Sequence, residues 1–268
     1  MEQITLTNVN ATMDVVRPSG ENSGEAMLVI PGGGYASFAV SREGKPIAEA
    51  FAAYGMTAFI LHYALDGDGC TVKPLVQASA AVAYLRQNAA KYNINPQRIY
   101  AVGFSAGGHL AASLATMCDL EEVRRESGVA EGKNRLNGVI LCYPVISPDC
   151  GHTASFYHLL RTNTPKKEDL AYYDILLRVS ETTPPSFLMH TANDQCVPVK
   201  NSLLYAEMCE NHHVPFELHV YPDAPHGLAL ANEITEDGNP DWVRPQAARW
   251  VGDAVYFIRH LKKSAKCK

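Results

Sequence analysis

The pentapeptide Gly103-Phe104-Ser105-Ala106-Gly107 constrains the fold of this chain more than any other stretch. It reads G-x-S-x-G. A strand-type run, Arg98-Ile99-Tyr100-Ala101-Val102, precedes it, and a helix-type run, Gly108-His109-Leu110-Ala111-Ala112-Ser113-Leu114-Ala115, follows it. A buried strand that turns at once into a helix around such a motif makes a nucleophile elbow, with the serine hydroxyl exposed at the top of a sheet. The turn is tight, and a Cβ at either flank would meet the neighbouring strand or helix. The motif alone arises by chance; its strand–turn–helix setting gives it meaning.

The rest of the chain repeats the same alternation. Met27-Leu28-Val29-Ile30 reads as a short buried strand, and residues 45 to 54 as a helix closed by Gly55. Thr57-Ala58-Phe59-Ile60-Leu61 is the next strand. A helix follows with Leu75, Ala78, Val82, Leu85 and Ala89 on one stripe. Gly138 to Tyr143, Ser186 to His190 and Phe216 to Tyr221 are further strands. Helices are expected near 199 to 211 and over 245 to 262, and residues 5 to 17 read as an antiparallel edge. Continuous apolar strands separated by helices predict an α/β fold: a mostly parallel central sheet with helices on both faces.

With 268 residues and no Pro/Ser-rich linker, charge block or repeat, the expectation is a single domain over 1–268. Residues 147–185 break the alternation. They carry His152, Phe156, Tyr157, Tyr172 and Tyr173 without a core strand, and read as a lid-like insertion beside the serine. A net charge of −5 argues against nucleic-acid or anionic-membrane partners. The amino terminus lacks a basic segment followed by an apolar one, and no run approaches the ~20 apolar residues a bilayer span needs. The seven cysteines are scattered without C-x-x-C pairs, which suggests reduced thiols and a cytoplasmic location.

A serine hydroxyl needs a base in hydrogen-bond reach, and the base needs an orienting acid. In sheets of this kind the chain order is serine, acid, histidine. Downstream of Ser105, Asp194 lies just past the strand ending at His190, and His226 lies just past the last strand. Loops at strand carboxyl ends are where open α/β sheets meet ligands. Asp223 competes as the acid, but it stands three residues before His226, too near to fold back onto that ring. His190 and His219 fall in strands and His109 in the elbow helix, where structural roles are expected. An oxyanion hole is expected from the run Pro31-Gly32-Gly33-Gly34-Tyr35: the amides of Gly33 and Gly34, with that of Ala106. A phosphate loop is disfavoured there, since neither G-x-G-x-x-G nor G-K-[ST] follows. No metal-ligand spacing stands out, and serine acyl transfer needs no cofactor.

The ordered set of motifs resembles the α/β-hydrolase serine esterases, specifically their compact carbohydrate-esterase-like branch, often labelled acetyl-xylan esterase-like or mislabelled as xylanases. The resemblance runs through Pro31 to Tyr35 with Glu43-Gly44, and the elbow through Leu110. It continues with Gly151-His152, Ser155-Phe156, Thr183 to Phe187, His190 to Asp194 with Val197-Pro198, Asn201-Ser202, and Pro225 to Leu228. It implies a Ser105–His226–Asp194 triad and hydrolysis of short acyl esters, with acetylated sugars or xylo-oligosaccharides as the expected substrates. Tyr35, His152 and Tyr157 are the expected substrate contacts, and homo-oligomerisation is left open. One departure is Pro31, where related lipases and esterases carry histidine; this removes a hydrogen bond behind the loop and spares the N–H donors. Alternatives on the same scaffold are an arylformamidase or another small-acyl hydrolase. A non-catalytic binding protein with this fold is a further alternative, weakened by the survival of serine, acid and histidine together.

Overall fold

In the computed structural model of the chain, residues 2–65 and 71–261 are described. The chain opens with an antiparallel hairpin, β1 (Glu2–Leu6) and β2 (Ala11–Val16), the edge expected near residues 5 to 17. Six further strands follow: β3 (Ala26–Ile30), β4 (Thr57–His62), β5 (Ile99–Phe104), β6 (Gly138–Cys142), β7 (Ser186–Thr191) and β8 (Phe216–Tyr221). Among the described residues they form one eight-stranded sheet in the order β1-β2-β4-β3-β5-β6-β7-β8. Every pair from β4 to β8 is parallel, while β2 joins β4 antiparallel.

The connections are helical: α1 (Val40–Glu43), α2 (Lys45–Ala53), α3 (Lys73–Gln87), α4 (Ser105–Met117), α5 (Glu121–Ser127), α6 (Ala154–Leu160), α7 (Lys167–Tyr172), α8 (Lys200–Asn211) and α9 (Trp250–His260). The two faces of β3 show why its sequence is apolar throughout. Leu28 and Ile30 point into a core with Leu75 and Leu85 of α3, Leu110 and Leu114 of α4, and Tyr205 of α8. Met27 and Val29 point the other way, to Ile47 and Phe51 of α2 and Trp250 of α9. A strand covered on both faces cannot carry an alternating polar residue.

Three boundaries differ from the sequence reading. The elbow strand runs on to Phe104 and the helix starts at Ser105 itself. Gly55 lies one residue beyond the cap of α2, which is Tyr54; its φ of 86° is the left-handed turn that ends the helix. The last helix begins at Trp250 rather than 245, because residues 245–249 are turns. Ala247 and Trp250 there bond three residues back, to Arg244 and Ala247, while Ala248 bonds four back to Arg244, so no continuous α-helical ladder forms before Trp250. Residue 262, the expected end of that helix, lies outside the described residues, as do Cys70 and Cys267.

Register positions the site. Ile30 pairs with Gly103, so β3 and β5 end side by side and the glycine run after β3 lies against the elbow. Thr191 pairs with Tyr221, so the loops after β7 and β8 also leave the sheet together.

Candidate active site

Ser105 is held at φ 52°, in the left-handed region that a non-glycine residue occupies only when its surroundings enforce it. The flanking glycines are the enforcing parts. A Cβ on Gly107 would lie 2.3 Å from the carbonyl oxygens of Ile30 and Pro31, and one on Gly103 would lie 2.3 Å from the Gly107 carbonyl oxygen. No larger residue fits either place. The elbow therefore packs the start of α4 directly on the end of β3.

The Ser105 Oγ lies 2.9 Å from His226 Nε2, and His226 Nδ1 lies 2.6 Å from Asp194 Oδ2. The other carboxylate oxygen of Asp194 accepts the amides of Cys196 and Val197, each at 2.9 Å. Those bonds wrap the loop around the acid and aim Oδ2 at the imidazole. Burial works to raise the Asp194 carboxyl. The imidazole N–H groups of His190 and His226 and the Val197 amide outweigh it, and hold the acid well below the usual carboxylate range. His190, fully buried at the end of β7, donates to the Val197 carbonyl at 2.8 Å and so braces the same loop. Asp223 is occupied elsewhere: its carboxylate accepts from the Asn193 amide. The serine, the acid and the base expected from chain order are thus brought together.

The glycine run supplies bare amides. Gly33 has φ 125°, and its carbonyl accepts the amides of Ala36 and Ser37 at 3.1 and 3.0 Å, which closes a tight turn ahead of α1. The N–H groups of Gly33 and Gly34 find no backbone acceptor among the described residues. The Ala106 amide belongs to the first turn of α4, whose N–H groups have no partner within a helix. Amides at a helix start favour a developing negative charge. Behind the loop, the Tyr63 hydroxyl donates to the Pro31 carbonyl at 2.8 Å and tethers it. No cluster of metal-ligating side chains occurs among the described residues.

Residues 13–208 match the family described as BD-FAE. The chain belongs to the BD-FAE family. It has the α/β-hydrolase fold, as the sequence motifs led one to expect. The chain is 40% identical over 213 residues to an endo-1,4-beta-xylanase B of Butyrivibrio fibrisolvens, covering 78% of this chain and 33% of that one. It is 31% identical over 213 residues to an acetylxylan esterase of Xylanibacter ruminicola, covering 78% and 42%. The chain thus spans a third to under half of the length of these curated relatives. A solved acetyl ester-xyloside bifunctional hydrolase of Caldicellulosiruptor lactoaceticus superposes with a TM-score of 0.76 at 32% identity, covering 92% of this chain and 89% of that one. His226 lies beyond the matched BD-FAE region, so its place in the site rests on the geometry above.

The expected substrate contacts of this BD-FAE chain fare differently. Tyr35 departs from expectation: its side chain is buried at 1% exposure and its hydroxyl lies 2.8 Å from His109 Nδ1, so the ring braces the loop from beneath instead of facing a ligand. The cause is its φ of 62°, which turns the side chain inward after three glycines. His152 is half-buried; it donates from Nδ1 to the Cys196 carbonyl at 2.9 Å and accepts the Ser155 hydroxyl at Nε2 at 2.8 Å. It therefore ties the insertion to the acid loop. Tyr157, on α6 beside it, is half-buried and retains an accessible face.

Sequence reasoning missed four residues at this site: Arg42, Glu43, Tyr143 and Trp242. Glu43 is buried and accepts the Gly32 amide and the Tyr143 hydroxyl, each at 2.8 Å. Trp242 donates to the His226 carbonyl at 2.9 Å, and the Arg42 guanidinium lies over its ring. An acid-glycine pair after the glycine loop was visible in the sequence, but nothing local says that the acid turns inward.

His109 makes a testable demand on pH. Burial lowers its pKa to about 4, and the ring stays neutral, donating from Nε2 to the Tyr173 carbonyl at 2.9 Å. The unfolded chain binds this proton near the ordinary value, so the unfolded state gains protons first as pH falls. The contribution is fully present above about pH 6.5 and is lost progressively down to pH 4, by about 3 kcal/mol in all. Urea unfolding at pH 7.5 and 4.5 checks this: the wild type loses more stability than a His109→Gln variant over the same interval.

Proposed function

We propose that this chain is a serine carboxylic-ester hydrolase that works through an acyl-enzyme on short acyl esters, deacetylating acetylated sugars or xylo-oligosaccharides. The observation that carries the reading is the unbroken line from Ser105 Oγ through the imidazole of His226 to Asp194, with contacts of 2.9 and 2.6 Å. In this reading His226 Nε2 takes the Ser105 proton as Oγ bonds to the ester carbonyl carbon. The electron pair of the carbonyl moves to its oxygen, which the amides of Gly33, Gly34 and Ala106 receive. Preorganised donors of this kind are worth ~10²–10³ in kcat each. Collapse breaks the bond to the sugar oxygen, which leaves with the proton from His226. Water then repeats the sequence on the acyl-serine and releases acetate.

The sugar assignment draws on the printed names of the acetylxylan esterase and the acetyl ester-xyloside hydrolase that the chain is similar to. The insertion over 147–185 folds as α6 and α7 with two short 3-10 turns, and we assign it the role of a lid. Tyr157 and His152, both partly exposed in this insertion, are the side chains we assign to the sugar. Unpaired thiols at Cys118, Cys142, Cys150, Cys196 and Cys209 accord with a reducing, cytoplasmic setting.

The test is a substrate panel after active-site titration with a fluorophosphonate. Acetylated xylo-oligosaccharides are expected to release acetate with a kcat/KM at least tenfold above N-formylkynurenine hydrolysis. The reverse ranking would transfer the chain to the arylformamidases. A wild-type protein that takes up no fluorophosphonate would remove the acyl-enzyme altogether.

A further inference from the structure

Glu43 is a fully buried carboxylate that the acyl-transfer steps do not use. Keeping a carboxylate out of water is costly unless its oxygens are well satisfied. Here they are. Oε2 accepts the Gly32 amide and Oε1 accepts the Tyr143 hydroxyl. The Tyr143 oxygen in turn accepts the Ala229 amide at 2.9 Å, so the phenol proton is the one given to Glu43. Both carboxylate oxygens act as acceptors, which is the pattern of the ionised form. Burial pushes the carboxyl upward, against the pull of those two donors.

The partners are what make this arrangement more than core filler. Gly32 directly precedes the amides of Gly33 and Gly34. The Tyr143 ring stands edge-on to the His226 imidazole, with centroids 5.0 Å apart and an interplanar angle of 72°. The neighbouring residue on the same turn of α1, Arg42, grips the other side: it donates to the Gly227 carbonyl beside His226 and to the Thr235 carbonyl. It also lies 3.3 Å above the Trp242 ring, whose indole N–H holds the His226 carbonyl. One helical turn therefore touches both the loop that would receive the oxyanion and the loop that carries the base.

We propose that Glu43 is a positioning residue for ester hydrolysis, which sets the spacing between the oxyanion loop, through Gly32, and His226, through Tyr143. The proposal rests on the serine–histidine–acid reading above. If Glu43 loses an acceptor oxygen, the Gly32 peptide is free to rotate and carries the Gly33 amide with it. If the Tyr143 link is cut, the face against which the imidazole turns is no longer fixed.

Glu43→Gln and Tyr143→Phe, made in the full chain, test the idea with p-nitrophenyl acetate. Rates are normalised to sites titrated by fluorophosphonate, and Tm is recorded alongside. Glu43→Gln is expected to lower kcat about ten- to a hundredfold, the scale of a small misplacement of reacting groups. KM is expected to stay within about threefold of wild type, as for groups that act after binding. Tyr143→Phe is expected to lower kcat about tenfold by the same loss of positioning. A lowered Tm with wild-type kcat and KM, per titrated site, would reduce Glu43 to a structural residue. If Glu43→Gln does not fold, Tyr143→Phe decides: wild-type kcat in that variant overturns the proposal. Failure of the underlying triad shows separately, as wild-type protein that leaves Ser105 unlabelled.

Discussion

Ser105→Ala is expected to abolish p-nitrophenyl acetate turnover, with a loss of about 10⁴–10⁶ in kcat. The size follows from what one oxygen does. It is the atom that would bond to the acyl carbon, and its contact with His226 Nε2, at 2.9 Å, is the route by which its proton leaves. Alanine has no such atom, and the bare amides nearby can only polarise an ester for attack by water. The fold is expected to survive. Alanine keeps the Cβ that the elbow already accommodates at φ 52°, and the chain loses one partly exposed hydrogen bond worth about 1 kcal/mol. Initial rates measured beside fluorophosphonate labelling and a thermal melt check all three statements. Wild-type turnover in the alanine variant would dismiss Ser105 as the nucleophile.

Asp194→Asn is expected to cost roughly 10⁴ in kcat while leaving the backbone in place. The reason lies in the two oxygens having different partners. Oδ1 accepts the amides of Cys196 and Val197, which only the oxygen of an asparagine amide can continue to do. The new NH₂ must then occupy the position of Oδ2 and face His226 Nδ1. A donor opposite an N–H is repulsive, so the imidazole shifts its proton to Nε2, the nitrogen that must be bare to accept from Ser105. The substitution also removes a carboxylate that is held below the ordinary range. That carboxylate adds stability above the usual carboxylate pKa, and the contribution fades as pH falls through the depressed value. The variant therefore loses less stability on acidification than the wild type. Asp223→Asn is the contrast: its carboxylate accepts from Asn193, and kcat is expected to stay within about threefold, the range of surface changes that touch no reacting group. A ranking in which Asp223→Asn is the more damaging change would reassign the acid.

Much of this was legible along the chain. Strand and helix periods located β3 through β8, because a parallel sheet covered on both faces needs uninterrupted apolar runs. The G-x-S-x-G motif located the elbow, because only glycine lets β5 and α4 meet at the distances seen at Gly103 and Gly107. Misreadings fell where local sequence carries no distance information. The sequence suggests a start for α9 five residues early, since the turns at 245–249 keep a helix-like composition. The glycine run suggests Tyr35 as a substrate contact, since nothing in its neighbours reveals that a φ of 62° sends it inward.

The one-dimensional order of residues determined the architecture and pointed to Ser105, Asp194 and His226 as the proposed nucleophile, acid and base, with the glycine loop beside them. Periodicity and chain order are local properties, and each residue announces them through its own neighbours. Tertiary structure alone decided the company those residues keep: Glu43 bonded across 100 positions to Tyr143, and Arg42 reaching Gly227 across 185. Contacts at that separation depend on how the loops of β3, β6 and β8 converge above one sheet. No spacing along the chain encodes that convergence, because a buried carboxylate is chosen by the donors that surround it in space.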